Sequence, residues 1–176
     1  MEIDEFFEKN VKQNMYQDIE CMMCHGLNFS VATLLAAYIE IVGAVYQEQI
    51  GNTRNLECYY NSMLITMGYG SVITEFQNKY GNNLTPYIVI RCGLIHQYNT
   101  KKDANIHSEY DDCKIGIYFN EDLLTICNRK YFEDFKTAVD KIIKCMNEDM
   151  EKKNRMNDRF KRNNIDMSSG PYPILA

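Results

Sequence analysis

Histidine and proline are both scarce in this chain, three of each in 176 residues. With only His25, His96 and His107 on offer, imidazole ligands or bases have few possible homes. The second pair of ligands that a structural zinc site needs is missing as well. Cys21, Cys24 and His25 spell CMMCH, the spacing of covalent haem attachment, but no second Cys-x-x-Cys follows and His107 stands alone. Haem attachment also belongs outside the cytoplasm, so ordinary packing at a helix end is the expectation for CMMCH. The N-terminal stretch MEIDEFFEKNVKQNMYQDIE is acidic and amphipathic, without the basic segment and apolar run of a secretory signal. The longest apolar segment, Phe29 to Val45, carries Ser30, Thr33 and Glu40 and falls short of the roughly 20 apolar residues of a membrane span. Seven cysteines, an odd number without secretory context, read as reduced thiols. A cytoplasmic protein without membrane, metal or cofactor is expected.

Positive charge is also in deficit. The formal net charge of -5 argues against a surface that follows nucleic-acid backbone throughout, so any such site must be local. Lys152, Lys153, Arg155, Arg159, Lys161 and Arg162, against Glu151 and Asp158, make residues 151–164 a +4 segment in a chain otherwise at -9. A solvated helix end running into a tail is the simplest reading of that segment, and RNA or an acidic partner the functional one.

What is present is helical periodicity. Ile3, Phe6, Phe7, Val11, Met15, Ile19 and Met22 recur at spacings of three and four and predict an amphipathic helix from Ile3 to about Met23. Asn28 reads as the N-cap of a second helix, Phe29 to about Ile50, ended by Gly51 and apolar almost all round, as a central element would be. Glu40 lies within it and needs a partner or an opening to water, because an unpaired buried charge is expensive. Further helices are predicted over Asn55–Met67 and Ser71–Tyr80. The stretch YIVIRCGLIHQY is evenly divided: Thr85 and Pro86 suit a helix start, whereas Tyr87, Ile88, Val89 and Ile90 suit a strand. Short strands are predicted at Ile106–Glu109, Lys114–Phe119 and Leu123–Cys127, with Asn120, Glu121 and Asp122 turning between the last two. One helix is predicted from Tyr131 to about Phe160. The fold class is therefore all-α, an antiparallel helical bundle with a small β-hairpin before the last long helix, in one domain over residues 1–160 with a tail at 161–176.

Two constellations carry chemistry. Cys92 and His96, four apart, would share a helix face as a thiolate–imidazole pair, with Arg91 lowering the thiol further. Nothing in the sequence supplies the oxyanion donor or pocket that a cysteine nucleophile requires, and a buried, inert Cys92 is the expectation. Arg91 and His96 suit metal-free phosphodiester cleavage better. Imidazole moves protons near neutral pH and guanidinium stabilises an anionic phosphorane, while RNA brings its own 2′-hydroxyl nucleophile. On one straight α-helix, positions five apart diverge by about 140°. Such a helix alone makes a poor site, and two facing each other a better one.

The segment YIVIRCGLIHQY, preceded by NFSVATLLAAYIEIVGAVY and followed by the hairpin and YFEDFKTAVDKII, resembles the HEPN superfamily, the higher eukaryotes and prokaryotes nucleotide-binding domains. The likeness covers about Phe29 to Cys145 and is strongest to stand-alone bacterial members. It places Arg91 and His96 on the R-x4-6-H signature of a late helix, which favours helix there. It implies a homodimer whose motif helices meet in a metal-independent endoribonuclease site, with His96 as general acid or base and Arg91 as phosphate stabiliser. Such members act as toxins or defence effectors and are silenced by a partner protein. Others are non-catalytic and bind nucleotide, RNA or protein, which is the alternative. Glu40 is expected to orient Arg91, with Cys92 and Tyr98 in support and Lys101 and Lys102 as RNA contacts. The residue after the arginine is commonly Asn, Asp or His in this superfamily, and here it is Cys92.

Overall fold

The computed structural model describes residues 1–50, 52, 54–81, 84–94, 104–107, 114–121 and 123–162. His96, Tyr98, Lys101, Lys102 and residues 163–176 lie outside this set, as do Gly51 and Asp122. The described chain is a helical bundle carrying a small sheet ahead of its last two helices, in agreement with the predicted class.

Helix α1 begins at Ile3–Glu5, widens to π-winding over Phe6–Met15 and finishes as α-helix over Tyr16–Cys24. Phe7, Val11, Met15 and Ile19, spaced strictly by four, all end up buried. Helix α2, Asn28–Tyr46, is the central element, burying Val31, Leu35, Ile39 and Val42. Its length and mean hydropathy of 1.7 would let it cross a membrane, yet it lies among the other helices as a core helix with its own carboxylate, Glu40, inside. Leu27, not Asn28, occupies the N-cap position, and Asn28 sits in the first turn, where its carbonyl accepts a hydrogen bond from the buried Asn128 side chain at 2.8 Å. The helix stops well before Gly51, where Glu48 turns into the left-handed region at φ 56°.

Helix α3, Leu56–Thr66, packs more extensively on α2 than any other helix does. Gly43 makes this possible, since a Cβ there would collide with the Tyr59 carbonyl. Helix α4 covers Gly70–Tyr80, and α5, Tyr87–Cys92, is again π-wound and continues helically through Leu94. The strands are β1 (Ala104–His107), β2 (Ile117–Asn120) and β3 (Leu123–Cys127), in the order β1-β3-β2. β2 and β3 form the predicted hairpin, pairing Ile117 with Ile126 and Asn120 with Leu123. The structure corrects two boundaries, because β1 starts earlier and β2 later than the sequence suggests. It also adds a pairing that no local pattern signals, β1 parallel to β3.

The predicted last helix is two. Helix α6 spans Asn128–Glu148 and α7 Met150–Arg162, separated by Asp149, which leaves helical geometry at φ -116°, ψ 85°. Its carboxylate accepts the Lys152 N–H at 2.9 Å and so caps α7. The break turns α7 back onto α1, where Met156 and Phe160 are buried and the Phe6 and Phe160 rings lie 5.3 Å apart. The basic segment is therefore a docked helix and not a solvated end. Lys153 pairs with Asp4 at 2.7 Å, Arg155 with Glu48 at 2.9 Å and Lys161 with Glu2 at 3.6 Å, while Lys152 sits over the Tyr46 ring at 4.1 Å.

Gly43→Ala should cost about 1–3 kcal/mol, read as a lower urea midpoint, because the α2–α3 contact must open to admit a methyl group. The hydrogen bond from Arg155 holds the Glu48 carboxyl below its ordinary range. Its contribution is therefore present above the unfolded carboxylate value of about 4.3 and is lost as pH falls through the lower folded value. Hydrogen exchange should accordingly show the α7 amides losing protection on acidification before those of α2.

Candidate functional site

The helix–strand ambiguity of YIVIRC resolves as helix. Pro86 opens α5, Thr85 Oγ1 accepts the Ile88 N–H at 3.4 Å, and Val89, Ile90 and Leu94 are buried. A π-turn closes on the fifth residue, so positions five apart come onto one side of the helix, and such turns are frequent at functional sites. Tyr87 and Cys92 show the consequence, the phenol standing beside the thiol. Arg91 lies within the wide turn, whereas His96 is outside the described residues.

Arg91 meets Glu40 across the α2–α5 contact. Nε lies 2.6 Å from one carboxylate oxygen and Nη2 donates to the other at 3.0 Å, a two-pronged pair with side chains only 16% and 11% exposed. This answers the question raised by a carboxylate in an apolar helix, and it fixes the guanidinium plane. The Tyr87 ring lies against the same guanidinium, 5.6 Å from centroid to Cζ. Tyr60 meets Tyr87 edge-on at 5.8 Å, and its hydroxyl is 3.1 Å from that of Tyr131. Burial pushes the phenols of Tyr60, Tyr87 and Tyr131 well above the ordinary tyrosine value, so they stay neutral. Beyond them, Tyr69 donates to Asp134 at 2.6 Å and accepts the Gly116 N–H at 3.1 Å, linking the foot of the hairpin to the same aromatic core.

Beside Tyr87 a groove of about 560 Å³ opens between α5 and the start of α3, lined also by Arg54, Asn55, Glu57, Cys58 and Asn61. Of the predicted site residues, the structure thus joins Arg91, Glu40 and Cys92 around one point. Tyr87, Tyr60 and the groove were not foreseen. Tyr87 precedes Arg91 by four residues, a spacing that signals a shared helix face, but Tyr60 and Asn61 carry no such mark.

Cys21 and Cys24 are exposed at the end of α1, where the His25 ring donates from Nδ1 to the Cys21 carbonyl at 2.8 Å. CMMCH is thereby a helix C-terminus closed by its own histidine. Among the described residues no group of three or more histidine, cysteine, aspartate and glutamate side chains is placed to hold a metal ion. Comparison with protein-family models, curated proteins and solved structures finds no match to this chain.

Removing either member of the Glu40–Arg91 pair strands the other charge, so Glu40→Ala and Arg91→Ala should each cost about 3–5 kcal/mol. The double variant should lose clearly less than the two combined, and a double-mutant cycle by urea denaturation measures that coupling.

Proposed function

We propose that this chain is a metal-independent endoribonuclease of HEPN type, acting as a homodimer with one motif helix from each protomer at a shared site. In this reading the 2′-hydroxyl of RNA attacks the adjacent phosphorus and the P–O5′ bond breaks, His96 moves the proton from the attacking to the leaving oxygen, and Arg91 stabilises the charge gathering on the phosphorane. The observation that supports it is the fixed guanidinium of Arg91. A buried arginine held by a two-pronged carboxylate on a wide-turn helix is oriented before any substrate arrives, which is what transition-state stabilisation demands. The second protomer would be received beside it on α2, where Leu34 and Ala37 are half-buried and Ile41 is 41% exposed. These three share a helix face and leave an apolar strip adjoining Glu40. A toxin or defence role with a neutralising partner follows from the family likeness alone.

One observation favours the non-catalytic alternative. Glu40 already occupies Nε and Nη2 of Arg91, which suits an arginine kept for architecture in a module that binds nucleotide, RNA or protein.

The deciding experiment incubates pure protein with mixed RNA in EDTA. Cleavage leaving 2′,3′-cyclic phosphate ends, reduced at least about hundredfold by His96→Ala, is the expected result, with a dimer seen by light scattering. No cleavage at high protein excess, or cleavage indifferent to His96→Ala, overturns the enzymatic reading in favour of the binding module.

A further inference from the structure

We infer that the groove beside Tyr87 is a subsite for the base of a nucleotide unit adjoining Arg91. The inference deepens the ribonucleolytic reading and rests on it for placing the phosphate at Arg91. Its cavity of about 560 Å³ lies within the usual range of small-molecule sites. The wall facing it from α5 is an aromatic ring already held on two sides, edge-on by Tyr60 at 5.8 Å and by the Arg91 guanidinium at 5.6 Å. A partly exposed ring immobilised in this way is the platform on which proteins stack unpaired bases. Because the same ring touches Arg91, a base packed against it brings its own phosphate toward the guanidinium.

The rim supplies the remaining contacts. Arg54 is exposed and cationic, suited to a neighbouring phosphate. Glu57 offers acceptors only, and Asn61 adds a side-chain amide to the lining. Glu57 can only accept, so a base carrying an amino group meets its carboxylate better than uracil does.

The shared chemistry is a base with its phosphate, whether as a free nucleotide or within an RNA strand. Calorimetry on the full-length wild-type protein with GMP, AMP, CMP and UMP, and with 2′-O-methyl RNA oligomers that lack the attacking hydroxyl, reads binding without cleavage. Binding of the mononucleotides points to the free ligand, binding of oligomers alone to a strand, and either supports the subsite. Tyr87→Leu should weaken binding at least about tenfold, Tyr87→Phe should preserve it, and Asn61→Ala should weaken it about three- to tenfold, with UMP or U-rich oligomers the weakest ligands. Variants are compared only where circular dichroism shows a native unfolding transition, and Tyr87→Phe against Asn61→Ala suffices should Tyr87→Leu not fold. No binding of any probe at millimolar concentration, or binding indifferent to both Tyr87→Leu and Asn61→Ala, overturns the subsite. RNA cleavage dependent on His96 alongside that indifference removes the groove and leaves the nuclease standing. Groove-dependent binding without cleavage does the reverse.

Discussion

The ion pair between Glu40 and Arg91 is the constraint around which this molecule is arranged. Glu40 sits in the most apolar helix of the bundle, where an unpaired carboxylate would be untenable, and Arg91 is its partner from the helix packed against it. One hydrogen bond, from Nη2, and one close Nε–carboxylate contact specify both the distance and the rotation of α5 relative to α2, which a hydrophobic contact would leave adjustable. Tyr87 and Tyr60 then pack on the guanidinium side, and the Tyr60–Tyr131 contact carries the arrangement across to α6. The polar pair thus fixes one register of packing, and the aromatic core is built to match it.

The winding of α5 has a bearing on Cys92. In a plain α-helix Tyr87 and Cys92 would point apart. In the π-turn the Tyr87 phenol and the Cys92 thiol interact, beside the guanidinium of Arg91. Both residues belong to the surroundings of the arginine.

Charge in this chain is spent on assembly as much as on any surface field. The basic run at residues 152–162 faces Glu2, Asp4 and Glu48, which come from the N-terminal helix and from the end of α2. Exposed pairs of this kind are individually weak, and the docking of α7 rests on Met156 and Phe160 inside, with the ion pairs selecting orientation. The Asp149 break is what lets the helix return.

The sequence by itself determined the helical class, the central place of α2, the hairpin strand Leu123–Cys127 and the need of Glu40 for a partner, because periodicity and burial cost are local properties. Arg91 was legible as a candidate through its spacing of five from His96. Only the tertiary structure decided that α5 is helical with a wide turn, that the last helix breaks at Asp149, that β1 pairs in parallel with β3, and that Tyr60, Tyr87 and Asn61 converge on one groove. Each of these depends on contacts between residues far apart in the chain, with Tyr60 and Tyr131 or Glu40 and Arg91 as examples. Local propensity was balanced at YIVIRC, and burial of Val89, Ile90 and Leu94 together with the pull of Glu40 tipped it.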